Sequence, residues 1–585
     1  MDNTLNCRQN ILHRLAMGIF GLWCFFIVWR NLVMTGKVAA SYSPSYRILA
    51  PALMAAGAIA VVLICWFMSV SIAKKRSWKI FIIIFLISLA AKMFTVFVLA
   101  PAEYSDFQTF RAGAALTAQG DVSFIERLPY YKIWAYQFGI EFLIAPIFRF
   151  FGKWDPVFGL VVNGFIAAAC SPLIYAIGEN IISKGSFGDM SPSLRRSSVF
   201  AALLFTFLPI TIDLSAVFTN QQLSLFFILL SIYLFLALPW WIGGVLSGIA
   251  LGLANVARAD AVVYLAAFAV AVILLRRSKK SFISLACLIV FYFLSFKAVE
   301  LLASPLQPYG LGNNFTLYKF AVGLDEQSLG RYSVRMQEKI FNNEAYLADH
   351  ALRDRETLAL IREELSIGPS RLAKLFLAKI DIQWAGYGHS YEMLHDVVAK
   401  ESYHILGKEI AGSSFNRAYG LWDRATSMLL FAAAGVSGIM MSLKKRIHIG
   451  ISVMDLAFMA FSVIAFVIEV QYRYSYFVYP GVVITAALLP QLFRREAEDE
   501  GPAPAAPFQA AAEPQSQPKQ EVSEEEIDKR VQEILNSQPK FDPKDLTIPS
   551  SFNPYGAEES KPYEFSLTLG EGYEDQDVPV PREDK

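Results

Sequence analysis

Two carboxylates, Glu103 and Asp106, stand just past the end of a long apolar run, 80–100, in the stretch PAEYSDFQTFRAGAALTAQG. Ionisable groups at a membrane edge are costly and mark function by default. Arg111 follows a turn later, and Lys132 closes the same loop in PYYKIW. Arg258 and Asp260 sit together in ANVARADAVV, and a late segment reads Glu469-Val-Gln471-Tyr472-Arg473-Tyr474. A pair of carboxylates among several held cations suits one kind of chemistry. A carboxylate takes the proton of an attacking hydroxyl, while the cations meet the charge that develops on a departing lipid-linked phosphate. Plainer uses stand beside this one: Asp106 as a helix cap, Lys132 and Arg258 reaching to the interface, and Tyr472, Tyr474 and Tyr476 as interfacial aromatics. Ser105 and Gln108 have the spacing of a capping box at the start of a short helix.

The elements that must position these groups are apolar. Of 585 residues 55% are apolar and 18% charged, which excludes a soluble multidomain protein and predicts an all-α polytopic membrane protein. A spanning helix needs roughly 20 apolar residues. Segments near 11–33, 48–73, 80–100, 157–180, 199–217, 221–239, 241–257, 261–275, 281–303, 427–443, 450–470 and 477–493 satisfy this as twelve crossings. The basic clusters KKRSWK (74–79), Lys184 with Arg195 and Arg196, RRSKK (276–280), KKRIH (444–448) and Arg494-Arg495 then all fall on one side, which the positive-inside rule makes cytoplasmic. That count requires 133–151, which carries Gln137, Glu141, Pro146 and Arg149, to lie tilted or re-entrant without crossing.

Five regions follow: an N-terminal two-helix extension (1–79), a membrane core (80–303) with its first outer loop (101–156), an outer loop domain (304–426), C-terminal membrane helices (427–493) and a tail (494–585). The outer segment is too long for a passive connection, and it shows helical periodicity in IREEL and SRLAKLFLAKI. Residues 496–585 hold 22 Asp or Glu against 8 Lys or Arg, so the rest of the chain is near +15. The tail is predicted to be a disordered cytoplasmic segment, open to a cytoplasmic partner, and the positive balance elsewhere implies membrane topology and no nucleic acid. Arg8 and Arg14 before an apolar run read as a retained anchor, since no small-residue cleavage site follows. The five cysteines have no paired spacing, which gives neither a disulfide framework nor a zinc site. No metal and no cofactor is expected.

The order of these features is an acidic pair in the first outer loop, a Tyr/Pro return, several spans, a long outer segment and a late Glu-x-Gln-x-Arg-Tyr. It resembles the GT-C glycosyltransferases of family 39, which include the protein O-mannosyltransferases, the lipid A aminoarabinose transferase and bacterial relatives. The resemblance covers roughly residues 80–493. It implies that Asp106, in SDFQTF, is the catalytic aspartate with Glu103 in support, and that Lys132 contacts the carrier phosphate. Arg258 stands where relatives have a basic residue after a Gly-rich span. In AVFTNQQ, Asn220 stands where relatives often carry a second aspartate, which departs from a two-aspartate mechanism. With Arg111, Asp260, Glu469, Gln471, Tyr472 and Arg473, these residues are the expected substrate-binding set. The resemblance further implies a polyprenyl-phosphate sugar donor, an extracytoplasmic acceptor (protein, glycolipid or polysaccharide) and inverting transfer by direct displacement.

A rival reading is a transporter or flippase of lipid-linked sugars. Such proteins show paired repeats and helices broken at mid-membrane, and no repeat is visible here. A scaffold whose acidic tail recruits partners would leave the outer charges unused. The twelve-span topology carries its own test: a reporter fused after Glu496 is expected on the cytoplasmic side and a tag near residue 345 outside. An external C-terminus contradicts it.

Overall fold

Among the described residues ten helices have the length and apolarity to cross a bilayer: Ile11–Ala40, Pro44–Ile72, Ser77–Leu99, Pro156–Ile182, Asn220–Ala237, Trp240–Ala257, Lys279–Ala303, Gly412–Leu443, Ile449–Val467 and Tyr472–Leu492. An eleventh is broken, Arg195–Phe207 followed by Pro209–Ser215 with a 54° bend between them, and Ala261–Leu275 is apolar but shorter. The chain is an all-α polytopic membrane protein. The computed structural model describes residues 6–153, 155–184, 192–275, 278–312, 316–341, 349–386, 391, 394 and 397–493. The tail, Arg276, Arg277, Arg494, Arg495 and position 345 lie outside the described residues, as does the side chain of Lys184.

The two ends of the bundle are distinguished by what meets there. At one end, Ser77 Oγ donates to Glu179 Oε1 (2.9 Å), Asn10 Nδ2 to the Leu274 carbonyl (3.1 Å) and Gln491 Nε2 to Ser197 Oγ (3.2 Å). A two-stranded ribbon, Asn6–Arg8 with Arg446–His448, closes the same end. The described parts of the basic clusters gather there: Lys75, Arg195 and Lys444 carry backbone or side-chain contacts in this group. Asn220, Arg258 and Glu469 lie at or just past helix ends opposite to it.

Packing is closest where side chains vanish. Gly244, Gly248 and Gly252, spaced four apart on Trp240–Ala257, bring that helix against the backbone of Ser284, Leu288 and Tyr292 on Lys279–Ala303, the small-residue contact that membrane helices use. The helix Phe138–Phe151 keeps both ends at the site end of the bundle: Gln137, at its start, bonds Asn220, and Phe148, near its close, packs on Phe158 and Phe218. Pro156–Lys184 then runs back alongside Ser77–Phe94, its far end at Ser77.

The segment between Lys279–Ala303 and Gly412–Leu443, expected from the sequence to be outer and called the outer segment, holds helices Thr316–Leu324, Val334–Phe341, His350–Leu365 and Pro369–Trp384, and a hairpin, Ser402–Ile405 with Lys408–Ala411. It ends sooner than 426, because the hairpin delivers the chain into a helix that starts at Gly412. That helix opens with Asn416, Arg417, Asp423 and Arg424, which mask its continuity with the apolar run from 427. The N-terminal helix holds the segment down: Arg30 grips Asp381 with two bonds (2.7 and 2.6 Å), and Asn31 Nδ2 donates to the Trp384 carbonyl (3.0 Å). The forked geometry of a guanidinium on a carboxylate makes this a directional clamp.

Candidate functional site

The site is built on the few residues after Ile449–Val467. Ile468 (φ −104°, ψ 168°) and Gln471 (φ −142°, ψ 149°) are extended. Alternation along this extended stretch sends Glu469 and Gln471 to one side and Val470 to the other, and the tight helix that begins at Tyr472 then turns Arg473 back toward Gln471 and Tyr472 toward Asp423. On the first side a chain of bonds forms. Gln471 Nε2 donates to Glu469 Oε1 (2.7 Å) and Gln471 Oε1 accepts from Arg473 Nε (2.6 Å). Glu469, only 2% exposed, accepts the Lys319 ammonium at its other oxygen. Lys319 comes from the outer-segment helix Thr316–Leu324, whose backbone is tied in by the Glu469 amide donating to the Lys319 carbonyl (2.9 Å).

The chain continues into the first outer loop. Arg473 lies over the Phe107 ring (4.8 Å) with Nη2 3.7 Å from Asp106 Oδ2. The Tyr130 hydroxyl donates to Asp106 Oδ1 (2.8 Å). Asp106 is thus oriented by a phenol on one oxygen and a guanidinium on the other, and its side chain stays 27% exposed. Burial, then the Asp106 carboxylate, raises the Tyr130 phenol well above its ordinary range, so it is a donor at any physiological pH. Asp106 does not cap its helix. Tyr104 holds the N-cap position and its side chain makes no capping bond, and the expected Ser105–Gln108 box does not form. Ser105 takes a left-handed conformation instead (φ 50°), a strained backbone state that in non-glycine residues gathers at functional sites.

Glu103 has a different place. It is nearly buried, holds Arg111 (2.8 Å) and accepts from the Phe218 amide. Burial raises its carboxyl above the ordinary value, offset by Arg111 and that amide. Through Phe218 it pins the turn after the broken helix, which Asn163 also braces by donating to the Val217 carbonyl (2.7 Å). Lys92 serves the break itself, donating to the carbonyls of Thr206 and Thr211 (both 3.0 Å).

That turn delivers Asn220 to a second group. Asn220 Nδ2 donates to Gln137 Oε1 (2.9 Å), its Oδ1 accepts from Arg258 Nη1 (3.3 Å), and Arg258 is paired with Asp260. Burial opposes the charge on Arg258, but Asp260 holds its pKa above the ordinary value. Tyr474 joins the two groups: Arg258 lies over its ring (4.9 Å) and its hydroxyl reaches Glu469 (3.4 Å). Tyr136 stands among Lys319, Arg258, Asp106 and Glu469. Burial raises its pKa and the two cations draw it back. Lys319 also faces the Trp134 ring (4.9 Å), and against burial the Glu469 carboxylate keeps its ammonium well above the usual range.

Of the expected residues, the structure brings together Asp106, Asn220, Arg258, Asp260, Glu469, Gln471 and Arg473. Four are elsewhere, the first of them Glu103, which holds Arg111 and the Phe218 amide. Lys132 is exposed, with no ion-pair partner among the described residues. Arg111 is engaged by Glu103 behind the site. Tyr472, on the opposite face of the extended segment, donates to Asp423 in the core. Sequence reasoning missed Lys319, Tyr130, Tyr136, Gln137 and Trp134. The last four lie in the loop already singled out, where the aromatics beside Lys132 were the signal. Among the described residues no three His, Cys, Asp or Glu side chains are placed to hold a metal ion. Comparison with family profiles, with curated proteins and with solved structures gives no match.

The placement of the two lysines separates them experimentally. Lys319→Met leaves the buried Glu469 without its ammonium, a change typically worth about 3–5 kcal/mol, and is expected to lower the melting temperature of the purified protein. Lys132→Met is expected to leave it unchanged. Equal effects contradict the assignment.

Proposed function

We propose that the protein is a membrane glycosyltransferase that moves a sugar from a polyprenyl-phosphate carrier to an acceptor hydroxyl. The observation that carries this reading is the relay Tyr130–Asp106–Arg473–Gln471–Glu469–Lys319, in which the partly exposed Asp106 carboxylate stands beside Arg473 and to which Arg258 is joined through the Tyr474 ring. Asp106 takes the proton from the acceptor hydroxyl as its oxygen attacks the anomeric carbon. The bond from that carbon to the phosphate oxygen breaks, and the electron pair leaves with the polyprenyl phosphate. Lys319, Arg258 and Arg473 meet the charge that accumulates there, and charge met by preorganised donors is usually the largest single term in such catalysis. Glu103 supports the site by holding the loop that carries Asn220.

The resemblance to family 39 enzymes of the GT-C class agrees with a catalytic aspartate in the first outer loop. The twelve-span topology read from the apolar runs and basic clusters takes the Ala261–Leu275 helix as a twelfth crossing, with the site outside and the tail in the cytoplasm. The acceptor is a protein, glycolipid or polysaccharide hydroxyl. A second reading, a transporter or flippase of lipid-linked sugars, draws support from one observation: Lys92 is fully buried at the broken helix, and buried charge at a helix break is a transporter feature.

Asp106→Asn separates the readings. The amide keeps the Tyr130 bond but cannot carry away a proton, and losing general-base catalysis typically costs about 100-fold to 10,000-fold. With a panel of synthetic polyprenyl-phosphate hexoses, the variant is expected to insert normally, to bind donor and to transfer at least about 100-fold more slowly. Glu103→Gln is expected to cost less. A dead Glu103→Gln beside an active Asp106→Asn exchanges the two roles; near-normal turnover in both removes the transferase reading.

A further inference from the structure

Most polar groups in the cleft are spent on one another. Glu469 takes one N–H of Lys319, Asp260 takes the Arg258 Nε, Asn220 takes its Nη1 (3.3 Å), and the Tyr474 hydroxyl goes to Glu469 (3.4 Å). What these bonds leave over is a set of donors. An ammonium has three N–H groups and a guanidinium five. Lys319 therefore keeps two, and Arg258 its whole Nη2 group, that make no hydrogen bond among the described residues.

Two phenols stand between these cations, Tyr474 and Tyr136, and each is within electrostatic reach of both. The backbone around Tyr136 explains its place. It lies in the short turn Ala135–Gln137, with its ring edge-on to Trp134 (6.4 Å), whose own ring Lys319 faces (4.9 Å). On its other side Gln137 accepts from Asn220 (2.9 Å), which Arg258 holds. One neighbour thus leads to each cation. Tyr474 is spent on Glu469, whereas the half-buried Tyr136 makes no side-chain hydrogen bond among the described residues. It also faces Asp106, so it stands between the base and the cations, where the carbon–oxygen bond that breaks must lie.

We propose that Tyr136 touches the carrier phosphate, donating its O–H to the oxygen that takes the electron pair when the sugar leaves. The phenol keeps its proton throughout. The electrons of the broken bond go to the phosphate oxygen, and the added charge strengthens the hydrogen bond it accepts. The bond is therefore worth more in the transition state than in the bound ground state, which is the condition for a contact to raise turnover. Burial raises the phenol above its ordinary value by more than Lys319 and Arg258 draw it back, so it is a donor at neutral pH.

The role in turnover rests on the transferase reading; the contact with phosphate is tested without it. Tyr136→Phe keeps the ring against Trp134 and removes one O–H. Binding of a polyprenyl monophosphate and of the neutral polyprenol to the purified full chain gives the first readout. A hydrogen bond to a charged group supports an expected loss of about tenfold in monophosphate affinity, with polyprenol binding unchanged. The second readout is transfer from polyprenyl-phosphate hexoses, where kcat is expected to fall about 100-fold, as on losing one donor to a developing charge, and KM to change much less. Unchanged monophosphate affinity overturns the proposal whatever the turnover. Equal losses for both lipids also overturn it, since they mark a displaced ring and not a missing bond. A lost phosphate preference, in a chain whose wild type transfers no sugar, upholds the contact and removes the transferase reading.

Discussion

The structure at the site end depends on one buried carboxylate, Glu469. A charge taken out of water is tolerated only where other groups satisfy it, and Glu469 is satisfied from three directions: by Lys319, by Gln471 and by the Tyr474 hydroxyl. Each of these partners is itself committed. Gln471 passes the contact to Arg473 and so to Asp106, Tyr474 offers its face to Arg258, and Lys319 brings in the outer segment. A requirement to neutralise one group therefore gathers the first loop, the second polar group and the outer helices about one space.

The same rule governs the backbone. Where helices break at membrane depth, freed carbonyls need donors that lipid cannot supply. Lys92 serves the break before Pro209, Asn163 donates to the turn after it, and Lys379 serves the end of Ile449–Val467, while Glu103 accepts from an amide freed at that turn. Of these side chains, Glu103 reads from sequence as a candidate for chemistry. Their observed work is to hold irregular backbone in place so that other side chains converge. Glu103 shows how close the two roles stand: three residues from Asp106, it faces an amide and an arginine and leaves the open space to its neighbour.

Much of this was legible in the chain, and the reason differs by residue. The membrane helices were visible because apolar runs of spanning length are their own signal. Glu469, Gln471 and Arg473 were visible as a polar insertion between apolar segments. Tyr472 was misplaced because the backbone changes from extended to a tight helix at that residue and turns its side chain to Asp423; reading the six residues as one patch hid it. Lys319 was hidden for another reason. It lies 150 residues from Glu469, within a short amphipathic helix where a lysine is ordinary, and only the folding back of the outer segment brings it in. Lys132 stood out in the loop for its charge, while the groups that reach the site from that loop are the phenols of Tyr130 and Tyr136 beside it.

The claim at the centre is that this cluster receives the phosphate of a lipid carrier. Its most direct measurement compares the binding of a polyprenyl monophosphate with that of the corresponding neutral polyprenol to the purified protein. The account predicts that the phosphate confers most of the affinity, and that Arg258→Met removes this advantage while leaving polyprenol binding as it was. Equal binding of the two lipids, with no dependence on Arg258, would contradict it.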